Sequence, residues 1–458
     1  MISSYSPQQP KDLVVEVPEQ GAAEVRAAFA AAREAQRAWA GGPAAVRATA
    51  LAAAADAVAT AGDELAQLAV REVGKPLGEA KGEVARSVAI LRYYAQQVFD
   101  PVGAVHEPSA QGLLFTQRRP HGVAGLITPW NFPLAIPLWK AAPALAFGNG
   151  VVLKPAPEAT ACALRLAELV APCLPDGLLA VVPGDAEAGQ AVVAEADVVS
   201  FTGSVAAGNA VAQAATARGV PVQAEMGGQN PAVVLPDADL DAAAAQVATA
   251  AMGFAGQKCT ATKRVIVVAD AGGFSETFRE KLVAAVEAMA VGDPDDAEVT
   301  VGPVIDEAAR DRVVAVAEDA VNAGGRVLTG GTTLERDGWF VAPTVVEGVP
   351  DGHTLACDEV FGPICLLQTA ADLDQAVALA NAVPHGLAAG VYTRDLGSAL
   401  AAARRLEAGL VKVNAPTSGV DFYLPFGGEK ASSIGTREQG KAAQEFYTTV
   451  HTITVAPA

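Results

Sequence analysis

The chain has only five cysteines in 458 residues, Cys162, Cys173, Cys259, Cys357 and Cys365, and no two form a CxxC pair. An odd, scattered set excludes a disulfide framework and a structural zinc site, and it points to a reducing cytoplasm. No His/Cys/Asp cluster suggests another metal. Positive charge is scarce too. Lys and Arg number 32 against 51 Asp and Glu, for a net charge of −19. That balance argues against nucleic acid or an anionic membrane as a partner. Charged residues are 18% and apolar residues 51%, so a large core can form and disorder is excluded. Residues 1–12 are polar and proline-bearing, without the basic start and apolar run of a signal peptide. The charge-free run 122–139 is broken by Pro129, Pro133 and Pro137 around Asn131. It suits a buried strand, a loop and a helix start better than a membrane helix.

The length predicts two or three domains. From residue 22 to 99 the chain is alanine-rich with charges at helical spacing. Long helices are expected there, broken near Gly41-Gly42-Pro43 and Gly74-Lys75-Pro76. Apolar runs at 123–127, 150–153, 178–182, 198–201 and 222–224 read as buried strands. Helical stretches at 133–147, 160–171, 186–195 and 205–218 separate them. A second alternating block places strands at 231–235, 264–268, 342–346, 363–367, 390–392 and 410–413. Its helices fall at 239–254, 274–289, 306–323, 373–380 and 398–407. Such alternation predicts parallel sheets covered by helices. The fold class is α/β, with two units joined close to Glu225. No fixed-period repeat occurs. Residues 112–119 and 446–455 alternate like exposed strands and need partners, which suggests a homo-oligomer whose edges pair between subunits.

The chemistry centres on two fragments. Cys259 stands in Gly256-Gln257-Lys258-Cys259-Thr260, and Glu225 opens Glu225-Met226-Gly227-Gly228. A thiolate attacks carbonyl carbon well, and a carboxylate can activate the water that removes the acyl group. The glycines let a ligand approach the backbone. Against this, a lone cysteine is commonly a small buried hydrophobe.

Phe201-Thr202-Gly203-Ser204, followed by Gly208, reads as a strand end, a turn and a helix start that could hold a phosphate, although it lacks the GxGxxG fingerprint. Lys154 follows the apolar run 151–153, at the strand end where such sheets bind ligands. Asn131, between Trp130 and Phe132 and flanked by prolines, could donate to a developing oxyanion or simply cap a turn. In Glu359-Val360-Phe361-Gly362-Pro363 the acid could bond ribose hydroxyls and the ring could pack on another ring; a surface acid and a core phenylalanine are the alternative. Pro425-Phe426-Gly427-Gly428-Glu429-Lys430 is a glycine turn.

In this order, the segments resemble the aldehyde dehydrogenase superfamily over residues 22–447. The resemblance implies a cofactor domain (1–103 and 122–226), a catalytic domain (227–440) and oligomerisation strands (104–121 and 441–458), assembled as a homodimer or homotetramer. It implies Cys259 as nucleophile, Glu225 as general base and Asn131 as oxyanion donor. Lys154, Gly203, Ser204, Trp130, Glu359 and Phe361 match cofactor positions. Phe132 and Trp139 match positions that wall the substrate tunnel. No metal is implied.

Many NAD-preferring members carry an acid three residues after the matching lysine. Here that position is Pro157, which favours NADP, with NAD also used. The chain starts later than most members, so one N-terminal strand fewer is expected. Glu225 argues against an acylating relative that uses coenzyme A. Retention of Cys259, Glu225 and Asn131 together argues against an idle member kept for binding. The spelling of 256–262 and 431–440 is similar to the 2-oxoglutarate semialdehyde (2,5-dioxopentanoate) subgroup, which hints at a small aldehyde bearing a carboxylate. Lys258, Lys263 and Arg264 are better read as structural cations than as partners for that charge.

Overall fold

Alanine-rich helices carry the first hundred residues, spanning Ala22–Gly41, Ala44–Thr60, Gly62–Val73 and Leu77–Gln97 in a computed structural model that describes residues 1–457. Two of the breaks fall where Gly-Pro sequences predict them. Gly74 closes the third helix at φ +66°, a left-handed cap that suits glycine. A further break at Ala61 bends the chain by 68°. No single helix among the described residues is long and apolar enough to cross a membrane.

The alternating region forms two sheets. The first has the order Ser433–Ile434, Val222–Glu225, Val198–Thr202, Val123–Thr128, Gly150–Pro155, Leu179–Val181, parallel throughout except for the antiparallel edge Ser433–Ile434. The second has seven strands, Arg326–Thr329, Thr344–Glu347, Ile364–Ala370, Thr262–Val268, Asn230–Val234, Ala388–Tyr392 and Leu410–Val413. Only Arg326–Thr329 runs antiparallel. Strands such as Val123–Thr128 and Thr262–Val268 are buried at every position, which is why they read as unbroken apolar runs. The chain crosses from one sheet to the other between Glu225 and Asn230.

Two features go beyond those expectations. Thr448–Val455 pairs with Leu113–Pro120 inside the same chain and Val105–His106 completes that small sheet, which leaves the outer edge of Thr448–Val455 free. The polar opening, assigned no strand from sequence, forms a hairpin of Ile2–Ser6 and Gln9–Val17. Its alternating burial buries Ile2, Ser4 and Ser6, and a serine-rich inner face hides such a strand from a hydropathy reading.

Candidate active site

Cys259 lies between a kinked turn and the strand Thr262–Val268. Phe254, Ala255 and Gly256 hold φ of +53°, +51° and +63° in succession. Two side-chain-bearing residues in the left-handed region store strain, so the surroundings must hold them. Lys263 Nζ donates to the carbonyls of Gly256 and Gly362, each at 2.8 Å. Gln257 Nε2 donates to Phe254 O and Pro303 O, and its Oε1 accepts from the Ile305 N–H. Asn230 Nδ2 donates to Cys259 O at 2.7 Å and to Ala261 O at 2.8 Å. Gly256 must be glycine because a Cβ there would overlap the Gly362 carbonyl. The carbonyls around Cys259 are thus tied back, while its own N–H makes no hydrogen bond among the described residues.

The buried Asn131 donates from Nδ2 to Gln257 O at 2.9 Å. This brings its amide to the cysteine loop and leaves a second N–H uncommitted. Glu225 ends its strand opposite Ser433, whose Oγ donates to Oε2 at 2.5 Å. Oε1 is buried without a partner. Burial pushes the Glu225 carboxyl well above the usual range, and the charge of Glu438 adds to this; Ser433, Lys140 and Arg437 oppose it. Burial likewise pushes Glu359 up to about 7, with Lys263 opposing. The Cys259 thiol is pushed up by burial, then by the carboxylates of Glu359, Glu225 and Glu438.

Two chambers meet at Cys259. The larger, about 340 Å³, is lined by Trp130, Asn131, Gly203, Ser204, Glu359 and Phe361, among others. The Trp130 and Phe361 rings meet edge to face at 5.6 Å. Ser204 caps the helix Val205–Ala217 by accepting from the Ala207 N–H. The smaller chamber, about 210 Å³, is walled by Phe132, Trp139 and Phe426. Cys259 lines both.

Lys154 and Pro157 lie outside both chambers. Lys154 is buried near the C-terminal end of Gly150–Pro155, and Pro157 opens the short turn Pro157–Ala159. Lys258 pairs with Glu79 at 2.7 Å, and Arg264 donates to the carbonyls of Gln229, Leu379 and Ala380, so all three neighbouring cations have structural partners. The sequence reading missed Thr202, Met226 and Arg312 in the larger chamber and Glu79 and Arg86 in the smaller. The pattern Glu79, Gly82, Glu83, Arg86, at i, i+3, i+4, i+7, is the signal that would have found the latter pair.

Residues 1–453 match the profile of the aldehyde dehydrogenase family. The chain belongs to that family. It is 41% identical to the alpha-ketoglutaric semialdehyde dehydrogenase of Bacillus subtilis, over 100% of this chain and 95% of the relative. It is 40% identical to a betaine aldehyde dehydrogenase of Cereibacter sphaeroides, over 94% and 89%. A crystal structure of an aldehyde dehydrogenase from Burkholderia cenocepacia superposes with a TM-score of 0.95 at 35% identity, covering 99% of this chain and 94% of that one. The protein is accordingly an aldehyde dehydrogenase of the nicotinamide-dependent class, and its α/β architecture is that of the family.

Proposed function

We propose that this enzyme oxidises a small aldehyde bearing a carboxylate to the free acid through a covalent bond to Cys259, with NADP as the preferred cofactor and NAD also used. The observation that carries the reading is that Cys259 opens on both chambers, so a cofactor and an aldehyde can reach one sulfur from different sides. The residues present suit a dinucleotide. Thr202 Oγ1 is buried without a partner beside Gly203 and Ser204, and Trp130 and Phe361 offer ring surfaces. A bound nicotinamide supplies the hydride acceptor.

Each remaining step falls to the protein. Burial and the neighbouring acids make the thiol hold its proton tightly, so that proton passes to the ionised Glu225, and from it to solvent, as sulfur attacks the aldehyde carbon. The oxyanion that forms accepts from the Cys259 N–H and the spare Asn131 N–H. Loss of hydride from that adduct leaves a thioester. Glu225 in its ionised form, whose raised affinity for protons makes it a stronger base than an exposed acid, then takes a proton from water as the water oxygen attacks the thioester carbon. The C–S bond breaks, Glu225 returns its proton to the departing sulfur, the thiol is regenerated and the carboxylic acid is released. The name of the Bacillus relative and the spelling of 256–262 and 431–440 support a semialdehyde substrate.

Reduced nicotinamide followed by absorbance tests the scheme. Cys259→Ala should abolish turnover while the dinucleotide still binds. Glu225→Gln should give a burst of about one equivalent and then little steady rate. Full steady turnover in Glu225→Gln would remove Glu225 from its role.

A further inference from the structure

Two relatives of nearly equal identity are named for aldehydes of opposite charge, so overall similarity does not say what sits at the far end of the substrate. The smaller chamber does. One face of the helix Leu77–Gln97 contributes Glu79, Gly82, Glu83 and Arg86, stacked at helical spacing toward the cavity that holds Cys259. Both acids on that face are committed. Glu79 pairs with Lys258 at 2.7 Å. Glu83 pairs with the buried Lys75, and its Oε1 accepts from the N–H groups of Leu134 and Ala135 at 2.8 and 2.9 Å. Arg86 is half-buried, and no described residue gives it a hydrogen bond or an ion pair. One turn earlier, a Cβ on Gly82 would meet nothing within 4 Å, so the space in front of this face is open.

A second cation stands behind. Lys412 Nζ donates to Ser418 O and Gly419 O, which ties down the loop that walls the chamber at Gly419 and Val420. Burial lowers its proton affinity, the charge of Asp421 opposes this, and that of Arg86 lowers it again. The rest of the wall is aromatic, from Phe132, Trp139 and Phe426. A nucleophile, a ring-lined passage and an uncommitted guanidinium suit an aldehyde whose other end is anionic.

We infer that Arg86 is a specificity-determining residue that binds the distal carboxylate of the substrate through its guanidinium fork. The inference rests on the proposed reading of Cys259 as the site of aldehyde oxidation. A planar fork matches a carboxylate with two parallel N–H···O bonds, and a trimethylammonium group in the same place meets like charge.

Steady-state kinetics on three aldehydes tests this: 2,5-dioxopentanoate, the uncharged pentanal, and betaine aldehyde, each with wild type, Arg86→Met and Arg86→Lys. Arg86→Met should raise KM for the acid about 10- to 100-fold, the loss expected for hydrogen bonds between charged partners. KM and kcat for pentanal should stay within about twofold, because neither Cys259 nor its donors are touched. Arg86→Lys should recover part of the loss, and Arg86→Met should accept betaine aldehyde better than wild type does. Equal losses on the acid and on pentanal, or no loss on either, would overturn the assignment. A wild type that oxidises pentanal as well as the acid removes the role of Arg86 and leaves the aldehyde reading standing. A wild type that binds dinucleotide yet turns over none of the three removes both.

Discussion

Asn131 keeps one amide hydrogen on Gln257 O and offers the other to the pocket. Asn131→Ala should lower kcat about 100- to 1,000-fold with a smaller change in KM, the signature of an interaction made in the transition state. Glu225 carries a separate prediction, in stability. Its folded carboxyl holds a proton that the unfolded chain releases, so the folded state loses stability as pH rises from the ordinary carboxylate range through the raised value. Glu225→Gln should therefore melt above wild type at pH 8, with the gap closing toward pH 5, as read by thermal denaturation. The acid limb of the wild-type kcat profile should lie above the ordinary carboxylate range. At the position that the family resemblance assigns to the cofactor, Pro157→Glu should shift the ratio of kcat/KM for NADP over NAD down about tenfold, the effect of a carboxylate set against a 2′-phosphate. Cys259, Glu225 and Asn131 could be proposed from sequence because each stands in a short, unusual run of glycine, proline or aromatic residues. Arg86 could not, because a charge in an alanine-rich helix reads as a solvated face. Asn230 and Ser433 were illegible for another reason: Ser433 lies 208 positions from the glutamate it bonds, and local pattern carries no trace of such a contact.

The helix Leu77–Gln97 is the element on which most depends. Through Glu83 it neutralises Lys75 and caps the start of the helix Ala135–Ala146, which no side chain of its own caps. Lys75 also lies 3.8 Å from the centre of the Phe132 ring. Glu83→Gln leaves a buried ammonium without its counter-charge and should cost about 3–5 kcal/mol in denaturant unfolding. Most strands of both main sheets were readable because burial makes them continuous apolar runs. The elements that escaped are half-buried or very short. Arg326–Thr329 is a half-buried antiparallel edge, and Ser433–Ile434 is two residues long. Their pairing is set by tertiary contact rather than by propensity.

At the scale of the whole molecule, Glu225 belongs to one sheet and Cys259 leads into the other, joined by the crossing at residues 226–229. The proposed active site is therefore a seam, and its geometry depends on how the two sheets are held together. Outside that seam, Thr448–Val455 forms the free edge of a three-stranded sheet, with Val450 and Val455 about half exposed. Open edges with apolar side chains invite pairing. Sedimentation should show a dimer or tetramer, and the double change Val450→Lys with Val455→Lys should shift it toward monomer.

A sulfur with two doorways has a kinetic corollary. On the proposed assignment of the dinucleotide to the larger chamber and the aldehyde to the smaller, the acid leaves by the aromatic passage and the spent nucleotide by the other chamber, so neither exit obstructs the other. No steric queue then dictates which departs first. Whichever lets go more slowly sets the pace, and a wider aromatic passage would quicken turnover only where the acid is that laggard.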